Sequence, residues 1–237
     1  HLMSEVQALV TEYKNTRGLL LYLLGNENNY GLFWQGAETE DFPEGEEKIS
    51  LIGYKRGRPM YKLMNDAAKM IKSMDSAHPV AICNGDVLFL DIIAEECKDV
   101  DIYGTNAYRG ESFGDMFEAV REVYNKPIMF TEFGSDAYNA IKNQEDQEMQ
   151  AYYLVKNWKE IYENAAGLGL SNNSIGGFTF QFSDGWWKAG FDDRKDADSH
   201  QTESTWNAGG YTIDEAFPGA NNMNEEWFGI CAKGPTN

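Results

Sequence analysis

No stretch of this sequence approaches the roughly 18 unbroken apolar residues that a membrane-spanning helix needs. The longest apolar run, Leu19 to Leu24, is only strand length, so no membrane partner is expected. Basic clusters are missing too. Lys and Arg number 20 against 38 Asp and Glu, for a net charge of −18, and no Lys/Arg-rich face can be drawn against a nucleic-acid backbone. Such acidity serves solubility and repels anionic polymers at long range, which leaves a neutral partner as the better fit. Cysteine is scarce. Cys83, Cys97 and Cys231 form an odd set without metal-ligand spacing, and they read as buried free thiols. Histidine is equally scarce at three residues; none stands in a strand-end setting, so no Ser-His-Asp arrangement is evident. Low-complexity tracts, internal repeats and a signal-peptide pattern are also absent. The compartment stays open, with secretion or a periplasmic location both compatible.

What the chain has in quantity is apolar and aromatic side chains, 42% and 14% of its 237 residues, enough for one large domain or two small ones. Their spacing repeats one grammar. Ser4-Glu5-Val6-Gln7 has the form of a capping box, and Val6, Leu9, Val10 and Tyr13 share a helical face before Gly18 stops the helix. Leu19 to Leu24 is apolar on both sides, the pattern of a parallel strand buried on both faces. It runs into the polar loop Gly25-Asn26-Glu27-Asn28-Asn29. Pro59 opens a helix with Met60, Leu63, Met64, Ala67, Ile71 and Met74 in one stripe. Next comes a strand, Pro79 to Cys83, ending at Asn84-Gly85-Asp86, and a helix from about Leu88 to Cys97. Val100 to Thr105 is a strand ending in Asn106-Ala107-Tyr108; Phe113 to Tyr124 is a helix. Pro127 to Thr131 is a strand ending in Glu132-Phe133-Gly134, and a long helix runs from about Gln144 to Ala165. The last strand, Gly177 to Phe182, ends in Ser183-Asp184-Gly185-Trp186-Trp187. From Lys188 onward Gly, Asn, Asp and aromatics mix without period, as in a loop-rich tail.

Strands alternating with helices make a parallel α/β arrangement. Each strand ends in a polar or aromatic cluster, and in a (β/α)8 barrel of the TIM type the active site gathers at the C-terminal strand ends. A doubly wound open sheet competes, but it carries a Gly-rich phosphate loop after its first strand, and Gly25-Asn26-Glu27 is not one. Residues 1–190 are therefore expected to form part of a barrel, with 191–237 as a tail packed on it.

Glu27 and Glu132 each follow an apolar strand directly. A carboxylate at a strand end is costly to bury unless it is paired or used. Glycosidic cleavage uses two, one protonated toward the leaving oxygen and one ionised on the opposite face of the sugar. A pair of solvated loop acids is the plainer account. Asn84 and Asp86 end the next strand and are weighed as substrate contacts against simple turn duty, which fits them better. Asp192, Asp193, Asp196, Asp198 and His200 could suggest a Ca²⁺ loop but lack the EF-hand spacing, so they read as a solvated loop. His78, before Pro79, reads as structural. No metal and no cofactor is expected.

Asn26-Glu27 within Leu24-Gly25-Asn26-Glu27-Asn28 resembles the Asn-Glu motif that ends the fourth strand in glycoside hydrolase clan A. Ile128-Met129-Phe130-Thr131-Glu132-Phe133-Gly134 resembles that clan's seventh-strand nucleophile motif, and Phe178 to Trp187 resembles its eighth strand with an aromatic end. Family 2, with its β-galactosidases, β-glucuronidases and β-mannosidases, is the most similar. The resemblance spans about residues 4 to 190 and implies strands four to eight of the eight-stranded barrel. It implies a retaining β-glycoside hydrolase acting on a neutral oligo- or polysaccharide through a covalent glycosyl-enzyme. Glu27 would be the acid/base and Glu132 the nucleophile. Asn26 would bind the 2-hydroxyl. Tyr108, rather than Tyr103, would donate to Glu132 and keep it ionised and oriented. Trp186 or Trp187 would form a platform under the sugar ring, unless the pair is ordinary core packing.

The pattern's first three strands do not appear, so the chain reads as the second part of a larger protein or as a half-barrel. Homo-oligomerisation or an N-terminal half would complete it. Three readings follow: a retaining glycosidase or transglycosylase, a non-catalytic carbohydrate-binding half-barrel, and a structural fragment that works with a partner chain.

Overall fold

The computed structural model describes residues 1–33, 46–139, 144–185 and 225–232. The chain divides into two compact units. One comprises His1–Asn106 with Met116–Met129; the other comprises Ala107–Asp115 with Phe130–Asn237.

The first unit opens with helix α1 (Leu2–Tyr13), strand β1 (Tyr22–Leu24) and the short helix α2 (Asn28–Gly31). Helix α3 (Glu46–Ile52) passes through a single π-helical turn, Gly53–Gly57, into the long helix α4 (Arg58–Met74). A Cβ on Gly53 would fall 2.7 Å from the Phe89 and Ile92 side chains, so the turn lies close against its neighbours only because that residue is glycine. Then come β2 (Val80–Gly85), α5 (Leu90–Glu96), β3 (Ile102–Asn106), α6 (Met116–Val123) and the start of β4 (Ile128–Phe133). β1, β2 and β3 pair in parallel, with Tyr22 opposite Val80 and Ala81 opposite Ile102. Every residue of β2 and β3 is buried, as expected for parallel strands covered on both faces. α4 packs on β2 and α5, burying Tyr61, Ala67, Ala68 and Ile71. Polar ties fix its far end: Lys72 Nζ donates to Asp101 Oδ1 at 2.6 Å, and Asp101 Oδ2 accepts from Val80 N at 3.0 Å.

The second unit holds the end of β4, an antiparallel pair β5 (Tyr138–Asn139) and β6 (Gln144–Glu145), helix α7 (Gln147–Glu163), strand β7 (Ser174–Thr179) and the 3₁₀ turn Glu225–Trp227. Asp146 caps α7, its carboxylate accepting from Met149 N at 3.1 Å. α7 packs on β7. Phe113 meets Phe130 at 4.1 Å between ring centres, and Trp158 meets Phe133 edge-on at 5.1 Å. Phe228, from the last described segment, is buried with Tyr153. The order of the five-stranded sheet is β1-β2-β3-β4-β7. The architecture is thus α/β with a parallel sheet.

Several expectations need correction. The Ser4 capping box does not form: α1 starts at Leu2, and Ser4 Oγ donates back to His1 O at 2.6 Å from inside the first turn. Leu19–Leu24 is not buried on both faces. Only Tyr22–Leu24 is strand and only Tyr22 is buried, while Leu20 and Leu23 stay 65% and 45% exposed, because β1 is an edge strand with β2 as its sheet neighbour. The last strand is Ser174–Thr179, not Gly177–Phe182, and Phe182 is exposed. Of the three thiols Cys83 and Cys97 are buried, but Cys231 is exposed, since it lies in a single bridge to Ser183 and not in a core element. Trp186, Trp187 and the Asp192–His200 loop lie outside the described residues.

Candidate active site

The first unit gathers Asn26, Glu27, Cys83 and Asn106 at the C-terminal ends of its strands. The chain leaves β1 through Gly25, whose φ of +77° suits glycine; any Cβ there would fall 2.1 Å from Asn28 Oδ1. Asn28 Oδ1 accepts from Asn26 N at 3.0 Å and closes the turn. Glu27 then takes a left-handed backbone, φ 51° and ψ 29°, at the N-cap of α2. A bulky non-glycine residue rarely adopts this conformation, and surrounding structure must hold it there. The holding bond is visible: Glu27 N donates to Cys83 O at 3.0 Å, so β2 carries the loop. Asn29, buried, extends that grip by pairing with Gly85 in both directions, Nδ2 to Gly85 O at 3.0 Å and Gly85 N to Oδ1 at 2.8 Å. Glu27 itself is half-buried. Asn26 Oδ1 accepts from Asn106 Nδ2 at 3.1 Å and from Cys83 Sγ at 3.3 Å.

The second unit presents Glu132, the fifth residue of β4 and half-buried. Tyr108 Oη donates to Glu132 Oε2 at 2.9 Å. The ring of Tyr108 is in turn fixed by Phe228, 5.6 Å away, and by Phe180, 6.4 Å away and edge-on. Ala107 N donates to Glu132 O at 2.9 Å, which sets the level of Tyr108 beside the carboxylate. Gly134 lets the chain past: a Cβ there would lie 2.0 Å from Phe180 O. A hydroxyl aimed at a carboxylate oxygen steadies both its charge and its direction.

The remaining candidates divide clearly. Asn84 is buried, its Oδ1 taken by Tyr61 Oη at 2.7 Å and its amide shared among the carbonyls of Asp86 and Leu88 and the Tyr103 hydroxyl. It holds the turn, as does Tyr103, whose hydroxyl donates to Asp86 O at 2.6 Å. His78 Nδ1 meets Asp75 Oδ2 at 2.8 Å, a structural tie. The sequence does not single out Cys83 or Asn106 as site residues. A cysteine inside an apolar run looks like core, whereas Asn106 stands at a strand end and shares the signal that singled out Asn84. Among the described residues no group of three His, Cys, Asp or Glu side chains is placed to hold a metal ion, and no helix is long and apolar enough to cross a membrane.

No protein-family model and no curated protein sequence matches the chain. Among solved structures the fold matches a Bacteroides uniformis β-glucuronidase with a TM-score of 0.56 and 13% identity, over 97% of this chain and 23% of that one. It also matches a family 1 β-glucosidase from Thermotoga maritima, with a TM-score of 0.52 and 13% identity over 78% of this chain and 59% of that one. A fungal β-1,4-galactanase matches with 0.51 and 14%, over 75% and 57%. At these identities the likeness is one of fold, and the chain spans less than two thirds of each of these structures.

Proposed function

We propose that this chain is the part of a retaining β-glycoside hydrolase barrel that carries the catalytic pair, with Glu27 as acid/base and Glu132 as nucleophile. The observation that carries the reading is the Tyr108 hydroxyl aimed at Glu132 Oε2 from 2.9 Å, at the end of a strand in the same parallel sheet whose first strand leads to Asn26-Glu27. A solvated loop acid has no need of a half-buried, packed aromatic group to steer it. The shared fold with chains named as β-glucuronidase, β-glucosidase and galactanase supports the same class.

In the first step a Glu132 carboxylate oxygen attacks the anomeric carbon, the glycosidic C–O bond breaks, and Glu27 gives its proton to the departing oxygen. In the second step Glu27 takes a proton from water, the water oxygen attacks the same carbon, and the Glu132 ester bond breaks, restoring both carboxyls. Asn26 donates to the sugar 2-hydroxyl, and Trp186 or Trp187 offers an aromatic face to the ring. The acidic chain, at a net charge of −18, suits a neutral glycan.

The test is incubation with a 2-fluoro glycoside carrying a good leaving group, followed by intact and peptide mass measurement. A covalent sugar on the peptide containing Glu132 is the expected result. Glycan binding without an adduct would make the chain a binding module instead, and neither outcome would make it a structural fragment. In a trapped complex the Glu27 and Glu132 carboxyls should stand about 5–5.5 Å apart, the spacing of retaining enzymes; a separation near 9 Å would indicate inversion.

A further inference from the structure

We infer that the ring of Tyr30 is a binding platform for the departing sugar, so that the leaving group this site favours is itself a saccharide; this rests on the reading of Glu27 as the acid/base. Tyr30 lies one turn beyond Glu27 on α2, and its N–H donates to Glu27 O at 3.0 Å. It is 40% exposed, in the same short segment as the exposed Asn26 and the half-buried Glu27. The ring is nonetheless held. It lies so closely against Gly85, the last residue of β2, that a Cβ there would fall 2.2 Å from Cε2, 2.5 Å from Cζ and 2.9 Å from Cδ2 of Tyr30. Asn29, the residue before it, clamps α2 to Gly85 through two hydrogen bonds, at 3.0 and 2.8 Å. Three residues on, Phe33 stacks in parallel on Phe89 at 5.9 Å between ring centres. The turn of chain that carries Tyr30 is thus anchored at both ends.

An acid/base gives its proton to the oxygen of the leaving group, so the side chains on its own turn of chain neighbour that group. A ring that only fills a core is covered, and a ring at a chance surface position turns freely. This one is held against Gly85 and still open to solvent. A pyranose carries apolar C–H faces. Laying one on an aromatic ring removes apolar area from water, and the negative face of the ring attracts hydrogens polarised by the sugar oxygens. A ring already fixed in place loses little freedom when it is covered. A leaving group as small as fluoride has no face to lay there, so the gain falls to a saccharide leaving group. It comes from the ring and not from the Tyr30 hydroxyl.

The experiment measures kcat/KM of the full chain on a β-linked disaccharide and on the glycosyl fluoride of the same glycon sugar. For Tyr30→Ala the ratio of the two, disaccharide over fluoride, should fall about tenfold, the size of one good aromatic contact. Tyr30→Phe keeps the ring and should hold the ratio near its wild-type value. Gly85→Ala should lower the ratio by pushing the ring aside, and should lower it no further in a Tyr30→Ala background, because the two changes then remove the same contact. An unchanged ratio in Tyr30→Ala, or a fall in Tyr30→Phe as large as in Tyr30→Ala, would overturn the inference. NMR of the full chain decides the point even where no glycoside is turned over. The Tyr30 ring signals, assigned by their loss in Tyr30→Phe, should move when cellobiose or lactose is added. Signals that neither sugar moves would refute the platform, whereas moved signals without turnover of any fluoride would refute only the glycosidase reading.

Discussion

At Asp75 three hydrogen-bond donors converge on one carboxylate: His78 Nδ1 at 2.8 Å, Ala77 N at 2.9 Å and the Tyr22 hydroxyl at 2.9 Å. The His78 bond is the largest cause holding this carboxyl down to about 2, with the other two bonds adding against the opposing effect of burial. Burial, with Asp75 beside it, pushes Tyr22 up to about 12. Because the folded carboxyl ionises more easily than an unfolded one near 3.9, its contribution is fully present above about pH 4 and is lost as pH falls toward 2. Asp75→Asn should therefore be less stable than the wild type at about pH 6, and the gap should narrow markedly by about pH 2.5. Urea denaturation at the two pH values checks this, and a gap that stays constant would reject it. The proposed catalytic pair belongs to the same scale. Glu132→Ala should abolish turnover, with added azide restoring some of it. Glu27→Ala should cost about 10²–10⁴-fold on poor leaving groups and little on activated ones in the first step, because those need little protonation. Equal losses on both kinds of substrate would reject the acid role.

Between elements, glycine decides how closely β4 and β7 can run. A Cβ on Gly177 would sit 2.8 Å from Phe130 Cβ, and one on Gly134 would sit 2.0 Å from Phe180 O, a backbone atom that cannot step aside alone. Gly134→Ala should cost about 1–3 kcal/mol, the usual penalty of forcing atoms into a filled space, read as a drop in Tm. It should also weaken catalysis, because it lies two residues from Glu132 and disturbs Phe180, which packs on Tyr108. A variant as stable and active as the wild type would count against this account. The succession of strands and helices was legible from apolar runs and helical stripes, because those runs decide what can be buried. The strand ends were not. β2 runs on to Gly85, β3 to Asn106 and β4 to Phe133, since backbone pairing continues through polar residues that a pattern of hydrophobicity excludes. For the same reason Glu132 lies inside β4 and not in a loop after it. Within the candidate site, Asn26-Glu27 and Glu132 stand out by their strand-end positions, and the Tyr108 contact to Glu132 is an expectation from the family resemblance alone. Cys83 could not be read, because a thiol donating to an amide and a thiol filling a core have the same neighbours in sequence.

On the scale of the whole molecule, the five-stranded sheet ends in β1 and β7. Neither Tyr22–Leu24 nor Ser174–Thr179 contains the Lys or Pro that commonly guards an edge. Large apolar side chains stand open beside both: Leu20 and Leu23 near the first, Ile175 and Phe178 on the second. Next to β1 the apolar surface continues into a groove of about 570 Å³ lined by α1 and α4, with Leu9, Tyr13, Leu63 and Met64 among its walls. A chain of net charge −18 resists close approach of its own copies, but that repulsion is screened beyond about 10 Å at 0.1 M salt. Burial of apolar surface at contact is not screened, and about 25 cal/mol per Å² favours it. Self-association in solution is the expected outcome, and raising salt should strengthen it. Light scattering at micromolar concentration should show a mass above that of the 26.8 kDa chain. Leu23→Lys should shift the distribution toward monomer with the circular dichroism unchanged, since Leu23 is already half-exposed and a lysine there costs the fold little. An exposed position away from both edges, such as Lys98 in the loop before the central strand β3, supplies the control: Lys98→Gln should leave the association intact. A monodisperse monomer at every salt concentration, or a Leu23→Lys variant that associates as the wild type does, would show that these edges do not hold copies of the chain together.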